Sequence, residues 1–210
     1  MQVDAVTGII LAGGLSRRMG GCEKALQDLC GVSLLGRAAD AIRPQCAELI
    51  LSANGDARRF AEFGLPVIAD TLPGYPGPLA GILAGLDWIA AHRPGIKLAI
   101  SVPSDTPFLP SDLVARLLAA RSQEKTTVAC ARSGGRLHPV VALWPVAVRG
   151  DLRHALTGGE VRKAEAFLRG YSCAIADWPA GTADPFFNVN DRRDLEAAHA
   201  ILRARQQPLA

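Results

Sequence analysis

Short apolar segments alternate along this chain with longer segments whose apolar residues recur at the helical period. A mostly parallel sheet requires this alternation, because its strands are joined by crossover helices that cover the sheet. The predicted strands are residues 7–11, 48–52, 66–69, 97–102, 127–131, 140–144 and 172–176. Several are apolar at consecutive positions, which indicates central strands buried on both faces. We therefore expect an α/β protein with three layers, α/β/α, and a Rossmann-like, mostly parallel sheet.

Four predicted helices have recognisable starts. Ser33, Ser111 and Asp191 each precede a segment of helical period, and their side-chain oxygens suit the unpaired N–H groups of a first turn. The fourth helix covers residues 79–91, with Pro78 suited to its first turn.

Length and composition argue against several classes of function. The 210 residues contain no internal repeat or linker-like stretch, which favours one domain over residues 1–210. The net charge of +3 is too mild to require a nucleic-acid partner. Five cysteines without a CxxC pair indicate neither a disulfide framework nor a zinc site. No signal-peptide pattern is present and no segment reaches the ~18 apolar residues of a membrane span, so we expect a cytoplasmic protein without membrane contact.

A glycine-rich segment follows the first predicted strand. It contains Gly13 and Gly14, continues through Arg18 and ends at Lys24. Glycine lets backbone N–H groups approach an anion closely, while the two cationic side chains supply charge-assisted hydrogen bonds. The segment therefore indicates a loop that binds phosphate, with a triphosphate as the expected guest.

The two common phosphate-binding motifs do not match this loop. A Walker A loop needs Ser or Thr directly after its lysine, but Lys24 is followed by Ala25. The dinucleotide fingerprint GxGxxG fails because Gly13 and Gly14 are adjacent. The alternative is a tight turn that binds nothing, and the accompanying Arg18 and Lys24 favour the binding interpretation.

The segment LAGGLSRRMGG, followed by Lys24, resembles the signature LAGGxSxRMGxxK of nucleotidyltransferases. It is most similar to the molybdenum cofactor guanylyltransferases. The resemblance implies a sheet of the nucleotide-diphospho-sugar transferase type. It also implies GTP contacts at Leu11, Ala12, Gly13 and Gly14 and a catalytic, triphosphate-holding role for Arg18 and Lys24. Cytidylyltransferases of the same pathway usually carry Ala at the position of Gly13 or Gly14, so the two glycines favour GTP.

Downstream segments extend the resemblance to the rest of a nucleotide pocket. It implies GTP contacts at Ser52, Asn54, Asp70 and Gly77. Similar proteins often have Asn at the position of Ser52, which places more of this contact on Asn54. Gly77 and Pro78 precede a predicted helix, whose first N–H groups suit an anion.

Asp105 follows an apolar predicted strand, at the edge where open α/β sheets hold ligands. By itself it fits an ordinary turn aspartate better, because Ser-Asp-Thr-Pro is a good turn sequence. The resemblance makes Asp105 a catalytic GTP contact and a ligand of Mg²⁺, with Asn190 as the second metal ligand. Mg²⁺ needs only one or two protein oxygens besides substrate phosphates and water. Asn190 also fits a plain helix-capping role.

The acceptor site is expected at His138 and Asn188. The segment of His138 resembles the acceptor-binding region, and Asn188 is a polar contact near the expected metal in a segment that resembles the late Asn-Val-Asn segment of these proteins. A lone histidine is more often structural than catalytic, so His138 is assigned to acceptor binding and to no acid–base step.

The resemblance implies transfer of GMP from GTP to the phosphate of molybdenum-molybdopterin, with Mg²⁺ as cofactor. The implied partners are GTP, molybdenum-molybdopterin, other molybdenum cofactor biosynthesis proteins and molybdoenzyme chaperones. The alternatives are cytidylyl transfer to molybdopterin, nucleotidyl transfer to a sugar phosphate, and a non-catalytic GTP-binding module. Lys24 and Asp105 together argue against the last.

Overall fold

A computed structural model describes residues 5–12, 24–72, 77–159, 161, 163–179, 181 and 183–206. The described strands are β1 (Val6–Leu11), β2 (Asp28–Leu29), β3 (Val32–Ser33), β4 (Glu48–Ser52), β5 (Val67–Ile68), β6 (Leu98–Pro103), β7 (Val128–Ser133), β8 (Arg136–Pro145) and β9 (Cys173–Trp178). Strands β2 and β3 form a small hairpin, and the other strands form one seven-stranded sheet. All seven predicted strands are present in that sheet, whereas the hairpin was not predicted.

The sheet has the order β5-β4-β1-β6-β8-β7-β9. Strand β1 pairs in parallel with both β4 and β6, and β5 is parallel to β4. Strand β8 runs antiparallel to both β6 and β7, while β9 is parallel to β7. Within this sheet only β8 therefore opposes the common direction. The prediction of a mostly parallel sheet is confirmed.

The described helices are α1 (Leu34–Ile42), α2 (Pro78–His92), α3 (Leu113–Glu124), α4 (Arg149–Thr157), α5 (Ala164–Leu168) and α6 (Arg192–Gln206). Lys24–Leu26 forms a single 3₁₀ turn before β2. Helices α1, α2, α3 and α6 correspond to the four predicted helices. Helices α4 and α5 were not predicted.

Helices cover both faces of the sheet. Along β1, Val6 and Ile10 contribute to one hydrophobic core, while Ile9 and Leu11 contribute to another, because successive side chains of a strand point to opposite faces. The first core also contains buried residues of α1 and α3, and the second contains those of α2, α4 and α5. The predicted three-layer α/β/α fold is confirmed.

The helix starts agree with the sequence prediction at two of three positions. The side chains of Ser33 and Asp191 accept hydrogen bonds from backbone N–H groups in the first turns of α1 and α6, at 3.1 Å and 2.8 Å. Before α3 the cap position belongs to Asp112 rather than Ser111. The Asp112 side chain makes no capping hydrogen bond, and its carboxylate accepts from the indole N–H of Trp178 at 3.0 Å.

Helix α2 lies unusually close to the centre of the sheet. A Cβ atom at Gly81 would stand 2.5 Å from Oγ of Ser52, and one at Gly85 would stand 2.7 Å from Cδ1 of Ile9. Only glycine allows this approach, because both distances are shorter than real Cβ contacts. The close packing brings the amino end of α2 beside the carboxyl ends of β1 and β4.

None of the helices in the described ranges combines the length and apolarity needed to cross a membrane. The cytoplasmic location expected from the sequence stays a prediction.

Candidate active site

The carboxyl ends of β1, β4 and β6 are tied together by backbone hydrogen bonds beyond the sheet. The N–H of Ala12 donates to the carbonyl of Ser52 at 2.9 Å, and the N–H of Ser104 donates to the carbonyl of Leu11 at 3.0 Å. The N–H of Ala53 continues the pattern toward β5. Side chains that follow these strands therefore gather at one edge, where open α/β sheets bind their ligands.

Lys24, Asp105 and Asn190 meet at this edge. The Lys24 ammonium forms a short ion pair with Oδ2 of Asp105 and donates to Oδ1 of Asn190 at 3.0 Å. The side chains of Lys24 and Asp105 are only 22% and 18% exposed, so solvent screens their attraction less than that of a surface pair. Three predicted site residues from distant parts of the chain are thus in direct contact through Lys24.

The second carboxylate oxygen of Asp105 is suited to bind a ligand. Oδ1 of Asp105 is buried and has no hydrogen-bond partner among the described residues. A buried acceptor without a partner is costly, so such atoms normally bind a donor, a water or a cation. A carboxylate oxygen beside an amide oxygen, as in Asp105 and Asn190, is a donor set that fits a hard divalent cation.

Asp105 and Asn190 are held in place by the backbone around them. The N–H of Val189, which is fully buried, donates to the carbonyl of Asp105 at 2.9 Å. The N–H of Asn190 donates to the carboxylate of Asp194 in α6 at 2.7 Å. These bonds join the end of β6 to the start of α6, which fixes the spacing between the two oxygen-bearing side chains.

Asn188 lies next to this point, but its amide oxygen is already engaged. Oγ1 of Thr106, the residue after Asp105, donates to Oδ1 of Asn188 at 2.7 Å. The bond joins the segment that carries Asp105 to the segment that carries Asn190. Thr106 is fully buried and was not predicted as a site residue.

Asn54 and Asp70 lie at the carboxyl ends of β4 and β5 and bind each other. The amide of Asn54 donates to the Asp70 carboxylate, and its oxygen accepts from the Asp70 N–H, both at 2.8 Å. The carbonyl of Asn54 also accepts from the guanidinium of Arg59. Arg59 was missed by the sequence analysis, because an exposed Arg-Arg pair gives no signal of its own.

Gly77 directly precedes α2 and has a backbone conformation that favours glycine, at φ 141° and ψ 168°. Pro78 is the first helical residue, and Leu11 and Ser52 lie one turn further along against Gly81. The structure thus brings the ends of β1 and β4 and the first turn of α2 together. Gly13, Gly14 and Arg18, which the sequence analysis also assigned to this pocket, lie outside the described residues.

His138 is buried in a hydrogen-bonded group on β7, β8 and the segment before α6. Oγ of Ser133 donates to the Asp184 carboxylate at 2.7 Å, so the Nε2–H of His138 is the donor in its 2.8 Å bond to Ser133. The ring packs against Phe186 with centroids 4.8 Å apart. Burial is the main cause that lowers the pKa of His138; Asp184 opposes the shift and Arg136 adds to it.

The group of Ser133, His138 and Asp184 is not a nucleophilic triad. The serine proton is directed to the carboxylate and not to the imidazole, so His138 cannot act as a base toward Ser133. The Asp184 carboxylate also accepts from the N–H of Phe186 at 2.8 Å. Ser133 and Asp184 were not predicted, although an aspartate followed by proline is a turn signal. The group anchors the segment that leads to Asn188 and Asn190.

Comparison with known proteins places the chain in a family. A family model described as "MobA-like NTP transferase domain" matches residues 8–175. A molybdenum cofactor guanylyltransferase of Rhodopseudomonas palustris (strain BisB5) is 54% identical over 94% of each chain. Another from Nitrobacter hamburgensis is 46% identical over 96% of each chain.

Solved structures show the same fold. The molybdopterin-guanine dinucleotide biosynthesis protein A of Archaeoglobus fulgidus superposes with a TM-score of 0.73 at 21% identity, covering 95% of this chain and 100% of that one. The 2-C-methyl-D-erythritol 4-phosphate cytidylyltransferase of Thermus thermophilus gives a TM-score of 0.66 at 22% identity, covering 95% and 99%. The family model spans most of the chain and the curated relatives align along nearly all of it, so the chain belongs to the MobA-like NTP transferase family of nucleotidyltransferases.

Proposed function

We propose that this chain transfers GMP from GTP to the terminal phosphate of molybdenum-molybdopterin, with release of pyrophosphate. The observation that carries the proposal is the meeting of Lys24, Asp105 and Asn190 at the carboxyl edge of the sheet. Similar proteins at 54% and 46% identity are named molybdenum cofactor guanylyltransferases. The choice of guanine and of the pterin acceptor rests on this similarity.

In the proposed reaction an oxygen of the acceptor phosphate forms a bond to the α-phosphorus of GTP. The bond from that phosphorus to the α–β bridging oxygen breaks, and pyrophosphate leaves with the electron pair. The acceptor phosphate is already an anion, so no side chain has to remove a proton from it. Positioning and charge neutralisation are sufficient chemistry for this site. The structure offers a cation at Lys24 for that purpose and, at Ser133 and His138, no base directed at a nucleophile.

A divalent cation, proposed to be Mg²⁺, would be held by Asp105 and Asn190. The buried, unpartnered Oδ1 of Asp105 supports this assignment. When bound, such an ion neutralises phosphate charge and acts as a Lewis acid on the phosphoryl group. Among the described residues no group of three or more His, Cys, Asp or Glu side chains forms a candidate metal site, so the proposal relies on few protein oxygens.

The guanosine part of GTP is proposed to lie along the ends of β1, β4 and β5. The residues proposed to contact it are Leu11, Ala12, Ser52, Asn54, Asp70 and Gly77. Their clustering beside the first turn of α2 supports this placement. Gly13, Gly14 and Arg18 are proposed to complete the triphosphate site on the basis of the sequence resemblance.

The acceptor is proposed to lie on the other side of Asp105, toward Asn188 and His138. Since the His138 ring is buried and bonded to Ser133, its proposed part is to shape the acceptor surface through the segment that follows Asp184. We also propose a single domain, because one sheet collects strands from Val6 to Trp178. Protein partners of the pathway stay a prediction.

The test is pyrophosphate release measured with GTP, ATP and CTP, each with the molybdenum-loaded pterin and with a sugar phosphate as acceptor. We expect release with GTP and the pterin only, and loss of release in Lys24→Met and Asp105→Asn. A preference for CTP, or turnover with the sugar phosphate, would show that the substrate assignment is wrong. Tight GTP binding without any product would support a binding module instead.

A further inference from the structure

The Lys24 ammonium lies beside the proposed metal site. It contacts Oδ2 of Asp105 and Oδ1 of Asn190, and these two side chains are the proposed metal ligands. A divalent cation held by both side chains needs Oδ1 of Asn190, to which the ammonium already donates. At the unpartnered Oδ1 of Asp105 the ion would also lie close to the ammonium, and the two charges repel each other. Coordination by Asp105 and Asn190 together therefore requires the ammonium to move away.

Of the three side chains, that of Lys24 has the longest flexible stem. The Asp105 carbonyl accepts from the N–H of Val189, and the backbone N–H of Asn190 donates to the Asp194 carboxylate, so the backbone at both positions is tied down. Lys24 lies on a 3₁₀ turn of three residues and reaches the oxygens through a flexible four-carbon stem. The oxygens thus sit on short side chains of a tied backbone, whereas the ammonium can be withdrawn by rotation about the bonds of its stem.

A bound triphosphate offers Lys24 an alternative partner. Phosphate oxygens carry more charge than one carboxylate and form charge-assisted hydrogen bonds with an ammonium. Lys24 is the last residue of the glycine-rich segment and lies at the edge where the phosphates are proposed to bind. Once Lys24 turns to the phosphates, both carboxylate oxygens of Asp105 become available.

From this arrangement we infer that Lys24 acts as a resident cation that keeps the metal site closed until the nucleotide triphosphate binds. The inference rests on the proposed function, because it uses the same metal ligands and the same donor. Metal and nucleotide then bind with positive coupling, and each increases the affinity for the other by the same factor. If the ammonium occupies Asp105 in about nine of ten nucleotide-free molecules, it lowers the apparent metal affinity about tenfold.

The experiment measures Mn²⁺ binding to the full chain by electron paramagnetic resonance, without nucleotide and with α,β-methylene-GTP. This analogue cannot transfer GMP, because carbon replaces the bridging oxygen of the bond that breaks. Without nucleotide, Lys24→Met is expected to bind Mn²⁺ about tenfold more tightly than the natural chain. Lys24→Gln tests the same change with a polar side chain, and circular dichroism checks that each variant is folded.

Two control variants test whether Mn²⁺ affinity depends on a positive charge at position 24 or only on the net charge of the protein. Lys24→Arg keeps a cation at the site and should leave Mn²⁺ affinity within about twofold of the natural chain. Lys97→Met removes one positive charge just before β6, at the opposite end of the strand that leads to Asp105. It should also change the affinity by less than about twofold, because the charge is distant and screened.

The result that overturns the inference is an unchanged Mn²⁺ affinity in both Lys24→Met and Lys24→Gln without nucleotide. If Asp105→Asn still loses Mn²⁺ binding in that case, the proposed metal site stands and only the resident-cation inference fails. If Asp105→Asn binds Mn²⁺ like the natural chain with and without the analogue, the metal assignment of the proposed function is wrong, and the inference fails with it.

Discussion

Asn54 and Asp70 hold each other through two hydrogen bonds, both 2.8 Å long, at the ends of two neighbouring parallel strands. One bond runs from the Asn54 amide to the Asp70 carboxylate, and the other from the Asp70 backbone to the Asn54 oxygen. The pair fixes the carboxylate on the side of the pocket proposed for the nucleoside. A carboxylate oriented this way can accept hydrogen bonds from a sugar hydroxyl or a base N–H.

We expect Asn54→Ala to raise the KM for GTP about tenfold while kcat stays within about threefold, because the loss affects binding of the ground state and the transition state alike. Steady-state pyrophosphate release measures both constants. Asp56→Ala is the control, since the Asp56 side chain is bonded to Arg58 and not to Asp70. An unchanged KM in Asn54→Ala would mean that the Asn54–Asp70 pair does not orient a nucleotide contact.

Asp105→Asn is expected to lower kcat by about 10²- to 10³-fold, the usual loss when one charge-stabilising group is removed from an active site. The fold should persist, because the amide oxygen can still accept from Lys24 and the backbone bond to Val189 does not use the side chain. Asp112→Asn is the matched control, since the new amide oxygen still accepts from Trp178. Wild-type turnover in Asp105→Asn would remove Asp105 from the mechanism.

The position of Asp105 follows from a general property of parallel sheets, whereas its partners do not. An apolar strand followed by an aspartate predicts a carboxylate at the ligand-binding edge. Its contact with Lys24, 81 residues earlier, depends on the pairing of β1 with β6. Hydrophobic periodicity predicts strands but not their order, so only the family resemblance linked Lys24, Asp105 and Asn190 in advance.

The reversal of β8 also escaped the sequence analysis. An apolar run at residues 140–144 is compatible with either direction, because strand direction leaves no mark on periodicity. The signal was in the turn: Gly134 and Gly135 have φ of 52° and 79° and connect β7 to β8 as a hairpin. The reversal brings His138 back to Ser133, which explains why this histidine is buried and bonded.

The free energy of unfolding should depend on pH through His138. Burial lowers the pKa of His138 below 6.5, so the unfolded chain takes up this proton at a higher pH than the folded chain. The contribution of the neutral ring is therefore complete above about pH 6.5 and is lost as the pH falls below that value. Denaturant unfolding at several pH values should show a shallower decline toward acid in His138→Gln. His154→Gln, at an exposed position on α4, is the matched control for the removal of one histidine.

The close approach of α2 to the sheet gives a prediction that links stability with nucleotide binding. In Gly81→Ala the new Cβ would meet Oγ of Ser52 at 2.5 Å and Cδ2 of Leu11 at 3.1 Å, so these side chains or the helix itself must shift at the strand ends. We expect a loss of about 1–3 kcal/mol in the free energy of unfolding, as in other overpacked cores, together with a higher KM for GTP.

Gly150→Ala in α4 is the control, because nothing lies within 4 Å of its new Cβ. Alanine should there stabilise the helix by about 0.5–1 kcal/mol, since glycine is the poorer helix former. Denaturant unfolding and GTP titration of both variants measure the two effects. If Gly81→Ala unfolds with the same free energy as the natural chain, α2 does not need glycine at position 81.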